Sequence, residues 1–272
     1  MDLIKLKNIA IEAAQEAGKV IRQFIDKDVP TELKETGTNL SSQVVTEVDR
    51  MSEQAILSVI NPSCIEYNLA LVTEETEDDL SRMDLDYFWC IDPMDGTLAF
   101  INQVPGFTVS IALVSRDGTP IIGVIHDPST LNVYYAIKGR GAYKNDRPIE
   151  NSHRNNYLTY ATDKTLAKTP RRKEMISILE AEVRRSGLKG FKELSGGGAV
   201  INAIRVLENP PACMIKFPKK EQGGGSIWDY AATACIFHEL GLRATDFSGE
   251  KLKLNRSGDS FMNHEGIFYS NY

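Results

Sequence analysis

The chain reads as an α+β protein, with antiparallel strands dominating its first half and strands alternating with helices in its second. Three features carry that reading. The N-terminus has a long stretch of apolar residues at helical spacing, and residues 69–137 are a succession of short apolar runs divided by turn residues. Beyond about Asn151, strand-like and helix-like runs take turns. This change of texture divides the 272 residues into an N-terminal half, 1–150, and a C-terminal half, 151–272, a length suited to one large domain or two coupled ones.

Over residues 3–25, Leu6, Ile9, Ala10, Ala13, Ala17, Val20, Ile21 and Phe24 recur on one face of an amphipathic helix. Residues 29–42 mix Pro, Gly, Thr, Asn and Ser without periodicity and read as a loop. A second helix is expected over 46–60, stopped by Asn61-Pro62 because proline removes an amide donor and crowds the preceding turn. Strands follow at 69–73, 87–91, 107–115, 120–126 and 133–137, and Asp117-Gly118 between two apolar runs marks a hairpin. The second half reads strand 158–162, helix 172–186, strand 191–194, helix 199–207, strand 212–217, helix 228–240 and strand 266–270.

Composition excludes several classes. There are 31 Lys and Arg against 37 Asp and Glu, a net charge of −6, whereas a protein that coats nucleic acid polymers carries a basic excess. No run approaches the roughly 20 consecutive apolar residues of a membrane-spanning helix, so no membrane partner is expected. The charged residues 1–7 do not resemble a secretory signal. Cys64, Cys90, Cys213 and Cys235 lie too far apart for a zinc or redox motif and read as reduced thiols of a cytoplasmic protein.

The densest chemistry lies in Trp89-Cys90-Ile91-Asp92-Pro93-Met94-Asp95-Gly96-Thr97. An apolar strand delivers Asp92 to its end, and Pro93 is expected to stop the strand there. Asp95 and Gly96 turn the chain, and Thr97 opens a short helix over 98–102. Two carboxylates at a strand end can converge on a hard cation, which takes oxygen ligands, and the Met94 carbonyl can join them. The Gly96 and Thr97 amides suit a phosphate. An isolated Asp-Gly pair would be only a turn with a capping carboxylate.

Three further elements carry acids. In Thr73-Glu74-Glu75-Thr76-Glu77-Asp78-Asp79, the residues Glu77, Asp78 and Asp79 read as a solvated loop, but Glu74 ends a strand, where a neighbouring strand would leave it beside Asp92. Thr46-x-x-Asp49 and Ser226-x-x-Asp229 both have capping-box spacing. Each aspartate therefore has two readings. Asp49 either caps a helix or orients a catalytic hydroxyl, and Asp229 either caps a helix or holds a cation at its N-terminus.

Together these pieces resemble the inositol monophosphatase superfamily of lithium-sensitive, magnesium-dependent phosphomonoesterases. The resemblance rests on Glu74-Glu75 after a strand, the Asp92-to-Thr97 string, Trp228-Asp229 before a helix of small residues, and Val45-Thr46 with Asp49 upstream. It runs from about Asn8 to Ser270. It implies a layered α-β-α-β-α sandwich of the sugar-phosphatase type. It also implies that Asp92 bridges magnesium ions, with Glu74 and the Met94 carbonyl completing one position and Asp95 and Asp229 another, about two or three Mg2+ in one site. Thr97, bonded to Asp49, would orient the attacking water, with Glu74 beside it. The partner implied is a small phosphorylated substrate, and the assembly a monomer or homodimer.

Within the superfamily the chain looks closest to the 3'(2'),5'-bisphosphate nucleotidases. The run from Gly106 to Val114 resembles theirs, and Met214-Ile215-Lys216-Phe217-Pro218 puts a cation where inositol enzymes tend to carry Glu. Lys216 suits a second phosphate, while Lys219 and Lys220 either extend that role or form a solvated loop. The substrate-binding residues implied are Asp95, Gly96, Thr97, Gly197, Gly198, Lys216 and Asp229. Ser195-Gly196-Gly197-Gly198 and Ala161-Thr162-Asp163-Lys164 depart from the nucleotidase pattern, and Gly223-Gly224-Gly225 reads as a mobile flap or a flexible loop. The alternatives are an inositol-1-monophosphatase or sugar phosphatase of the same mechanism, and, in another class, a non-catalytic metal- or phosphate-binding regulator.

Overall fold

The computed structural model describes residues 1–25, 27, 31–33, 44–150, 155–168, 171–220, 225–262 and 264–272. Helix α1 (Leu3–Arg22) starts on Asp2, whose side chain accepts the Ile4 and Lys5 amides at 3.0 Å each. Its buried stripe is Leu6, Ala10, Ala13, Ala14, Ala17 and Ile21. Strand β1 (Thr31–Leu33) pairs antiparallel with β2 (Val44–Thr46), so three of the residues expected as loop form a short ribbon. The rest of the expected loop 29–42 lies outside the described residues.

Helix α2 (Glu47–Tyr67) runs through Pro62 instead of stopping at residue 60. Pro62 lies on the exposed side while Ile56, Ile60 and Ser63 are buried, so packing of that face outweighs one lost backbone hydrogen bond. The helix ends where Asn68 takes a left-handed conformation, φ 53, and its amide bonds to the Cys64 carbonyl.

Next come β3 (Ala70–Thr73), β4 (Tyr87–Asp95) and the short α3 (Thr97–Ile101), then β5 (Thr108–Ser115) and β6 (Pro120–Asp127). With β7 (Asn132–Ile137), β8 (Ala142–Lys144) and β9 (Arg147–Pro148), the strands form a sheet ordered β3-β4-β5-β6-β7-β8-β9. Only the β3–β4 pair is parallel. Alternation sets the two faces: Trp89 and Ile91 turn to α1 and α2, and Phe88 and Cys90 to the opposite side.

Strand β4 does not end at Pro93. It continues to Asp95 across an irregularity in its register with β5, between Asp92 and Asp95. Proline is tolerated there because the bulge asks no ladder amide of it, and Ser52 Oγ donates to the Pro93 carbonyl at 2.7 Å.

The second half supplies β10 (Leu158–Thr162), α4 (Arg172–Arg185), β11 (Phe191–Ser195), α5 (Ala199–Glu208) and β12 (Ala212–Lys216). It closes with α6 (Ile227–Glu239), β13 (Arg243–Thr245) and β14 (Ile267–Ser270), in a sheet ordered β11-β10-β12-β14-β13. Met175 and Leu179 of α4 pack outside this sheet against Leu158, Tyr160, Cys213 and Ile215. Helices α5 and α6 fill the space between the two sheets with Ala203, Ile204, Ala231, Ala232 and Cys235. Gly123 of β6 carries no Cβ where the Ala232 carbonyl of α6 lies against it, so helix and sheet approach closely. The layers are thus α-β-α-β-α, as the resemblance implied. Among the described residues no helix is long and apolar enough to cross a membrane.

Candidate active site

Parallel pairing of β3 with β4 aligns Thr73 with Ile91, and the Glu74 amide donates to the Ile91 carbonyl at 3.2 Å. Glu74 is thereby brought beside Asp92, the neighbour its position at a strand end suggests. The bulge after Asp92 turns Asp95 toward the same point, and the first turn of α6 brings Asp229. One carboxylate oxygen from each of Asp92, Asp95 and Asp229 lies within 4.8 Å of the others.

Each carboxylate is anchored. Asp92 Oδ1 accepts the Met94 amide at 3.0 Å. Asp95 takes the Ala199 and Val200 amides at 2.9 and 2.8 Å, so the N-terminus of α5 points its free donors at it. Asp229 Oδ2 accepts the Ser226 amide at 2.6 Å. Asp49 Oδ2 accepts the Thr46 amide at 2.8 Å and the Thr46 hydroxyl at 2.5 Å, while its Oδ1 accepts from Thr97 Oγ1 at 3.0 Å. Capping therefore does not exclude the second reading of either: Asp49 closes its capping box with Oδ2 while Oδ1 meets Thr97, and Asp229 closes its own from within the carboxylate cluster.

The glycines bring backbones together at this point. Gly96 is left-handed, φ 91, and packs against the Gly106 carbonyl, which accepts the Gly198 amide at 2.9 Å. Gly197 rests on Gly106, and a Cβ at Gly198 would run into the Asp95 carboxylate. Gly96, Gly197 and Gly198 thus border Asp95. Of the flap Gly223-Gly224-Gly225, only Gly225 lies among the described residues. Lys219 and Lys220 are exposed.

Electrostatics follow from this burial of acids. Burial, then the charges of Glu74, Asp95 and Asp229, holds the Asp92 carboxyl well above the usual range. Asp95 is pushed up to about 8 by burial and by Asp229, against the pull of two amides and Lys216. Asp229 is raised to about 6 by burial and Glu74, and Asp49 to about 6, again mainly by burial. Burial opposes the Lys216 charge, yet Tyr230, Asp163, Asp229 and Asp95 hold its pKa above the ordinary value. Buried, mutually repelling carboxylates with all-oxygen donors fit a hard divalent cation, whose charge would relieve them.

Several residues here carry no motif. Glu53 is buried and bonds the Thr73 hydroxyl and, at 3.1 Å, the Thr76 hydroxyl, fixing the turn that carries Glu74. Its spacing of four from Asp49 on α2 is the signal that could have found it. Asn202 Nδ2 donates to the Gly198 carbonyl at 2.7 Å and so holds the glycine loop. Asp78 is no solvated acid: it accepts from the buried Arg82 Nε at 2.8 Å.

A two-sheet sandwich with a buried carboxylate cluster at its strand and helix ends, and a threonine hydroxyl held beside it, has the make-up of a metal-dependent phosphatase. The chain belongs to the inositol monophosphatase family, whose model matches residues 2–270. It is 31% identical over 265 residues to the 3'(2'),5'-bisphosphate nucleotidase CysQ of Aggregatibacter actinomycetemcomitans, covering 93% of this chain and 88% of that protein. It is 30% identical over 251 residues to inositol monophosphatase 2 of Solanum lycopersicum, covering 91% and 89%. The match to Nus factor SuhB of Pasteurella multocida, at 40% identity, spans 51% of this chain and 49% of that protein. Among solved structures, CysQ of Bacteroides thetaiotaomicron superposes with a TM-score of 0.76 at 25% identity, covering 98% of this chain and 97% of that one.

Proposed function

We propose that the chain is a magnesium-dependent phosphomonoesterase whose preferred substrate is adenosine 3',5'-bisphosphate, hydrolysed to AMP and phosphate. The observation that carries this reading is Lys216, an ammonium at the end of β12 whose charge reaches both Asp95 and Asp229. It offers a fixed cation to a second anionic group on the substrate. The likeness to CysQ over nearly the whole chain supports the same choice.

Glu74, Asp92, the Met94 carbonyl, Asp95 and Asp229 would hold the divalent cations. When bound, these would neutralise phosphate charge and make water more acidic. The protein's own part is orientation. Because Asp49 Oδ1 takes the Thr97 hydroxyl proton, the Thr97 oxygen is left to accept a proton from the attacking water. Glu74 stands ready as a second acceptor. The Gly96 and Thr97 amides, at the start of α3, would receive the phosphate oxygens.

The second reading is an inositol 1-phosphate or sugar phosphate as substrate, by the same chemistry. It is favoured by Asp163, 3.9 Å from Lys216, which puts a hydroxyl acceptor beside the cation. Phosphate release from adenosine 3',5'-bisphosphate and from inositol 1-phosphate, with magnesium, separates the two. A higher kcat/KM on inositol 1-phosphate overturns the nucleotide reading. Lithium inhibition in the same assay and residence in the cytoplasm belong to this proposal.

A further inference from the structure

Arg82 sits in a single helical turn (Ser81–Met83) between β3 and β4, and only 1% of its side chain is exposed. A guanidinium keeps its proton in a protein, so burying it has to be compensated by hydrogen bonds. Its Nε donates to Asp78 Oδ2 at 2.8 Å. Its Nη1 donates to the side-chain carbonyl of Asn255, 173 positions further along the chain, and at 3.0 Å to the Arg256 backbone carbonyl. Asn255 Nδ2 donates in return to the Arg82 carbonyl at 3.1 Å and to the Arg116 carbonyl at 2.8 Å. Arg82 thus ties the acidic loop after β3 to residues 255–262, which lie between β13 and β14.

Each end of this tie leads to one acid of the site. Asp78 closes the loop that Glu74 opens, and Glu53 holds the start of that loop through the Thr73 and Thr76 hydroxyls. At the other end, Arg256 Nη1 donates to the Phe261 carbonyl at 3.3 Å, and Phe261 pairs antiparallel with Ser226. The Ile227 amide donates to the Ser260 carbonyl at 2.9 Å, and the Met262 amide to the Gly225 carbonyl at 3.0 Å. These bonds clamp the first turn of α6, which carries Asp229. Glu74 and Asp229 come from distant parts of the chain and their charges repel, so the cluster does not hold itself together.

We propose that Arg82 is a positioning residue: with Asn255 it fixes Glu74 relative to Asp229 and so shapes the carboxylate cluster for a divalent cation before the ion arrives. Less ordering is then left to the binding step, which raises affinity without a new contact to the ion. The fork matters as well as the charge, because a lysine ammonium is a single point and does not reproduce the guanidinium's spread of donors to Asp78 and to residues 255–256. The inference rests on reading the cluster as a cation site but not on the choice of substrate.

The test is magnesium binding by titration calorimetry, without substrate, to the wild type, Arg82→Lys, Asn255→Ala and Leu179→Ala. Leu179→Ala is the control for lost stability alone, since it opens a cavity in the outer layer under α4. Arg82→Lys and Asn255→Ala should each bind magnesium at least about tenfold more weakly, whereas Leu179→Ala should stay within about twofold of the wild type. At saturating magnesium both clasp variants should recover kcat to within about threefold, because the chemistry itself is untouched. Asn255→Ala leaves the buried guanidinium its Asp78 partner, so it decides the matter alone if Arg82→Lys does not fold. Unchanged affinity in Asn255→Ala, a loss shared equally by Leu179→Ala, or a fall in kcat that magnesium does not recover would each overturn the proposal. A wild type that binds no magnesium would fail the cation site itself, and the proposal with it; a wild type that binds while the clasp variants bind as well fails the proposal alone.

Discussion

The Thr97 hydroxyl donates to Asp49 Oδ1 across 3.0 Å, joining the first turn of α3 to the first turn of α2. Both residues are buried.

Replacing Thr97 by Val keeps the shape and removes the hydroxyl. Turnover should fall by about 10²–10⁴, the usual worth of a positioned proton acceptor. The fold should survive, weakened by about 1–3 kcal/mol because Asp49 Oδ1 loses its donor. Steady-state kinetics beside urea denaturation check both parts. Near-normal turnover would remove Thr97 from the mechanism.

The cluster also sets a dependence of stability on pH. Asp49 and Asp229 at about 6 and Asp95 at about 8 stand above the unfolded value of 3.8. The folded chain therefore binds more protons than the unfolded one between roughly pH 4 and 8, and metal-free stability falls as pH rises through that window. A divalent cation replaces those protons. Melting in chelator and in saturating magnesium, at pH 5 and pH 8, should show the larger magnesium gain at pH 8. A gain independent of pH would mean that the cation binds elsewhere.

Gly198 has an ordinary backbone, φ −74, so only space forbids a side chain there. In Gly198→Ala the new methyl meets Asp95 and pushes it off the Ala199 and Val200 amides. The magnesium concentration for half-maximal activity should rise at least about tenfold, a displaced ligand being the cause. Unchanged magnesium dependence would show that the loop gives way without moving Asp95.

His126 tests the other face of the sheet. Its side chain is buried against Gly18 of α1, Nδ1 lies 3.2 Å from the Asn132 carbonyl, and Nε2 has no partner among the described residues. Burial, with Arg22 adding to it, lowers its pKa from 6.5. The neutral ring is thus favoured in the folded chain, and the stability it contributes above pH 6.5 is lost as pH falls through its folded pKa. In magnesium-loaded protein, wild type should lose more melting temperature between pH 7 and pH 5 than His126→Gln. Equal losses would place the acid sensitivity elsewhere.

Much of this is legible in the sequence because the site is built from strand and helix ends. The continuous apolar runs reveal β4 and β5, and the Asp92-to-Thr97 string reveals the turn that follows β4. Failures occur where tertiary contacts override a local rule. Pro62 does not stop α2, because it lies on the exposed side while Ile60 and Ser63 on the opposite side are buried. Pro93 does not stop β4, because it sits in a bulge pinned by Ser52. Strands β8, β9 and β13 are too short to show alternation. The approach of Asp163 to Lys216 is likewise invisible in the sequence, because the two are far apart along the chain and meet only through the parallel pairing of β10 with β12.

The most direct measurement is phosphate release from adenosine 3',5'-bisphosphate as magnesium is titrated, in wild type and Asp92→Asn. Expected are no release in chelator, saturable activation in the wild type, and loss of at least about 10³ in kcat/KM in Asp92→Asn, whose melting curve stays cooperative. Magnesium-independent release, or an Asp92→Asn protein that works as well as the wild type, would contradict a metal centre built on Asp92, Asp95 and Asp229.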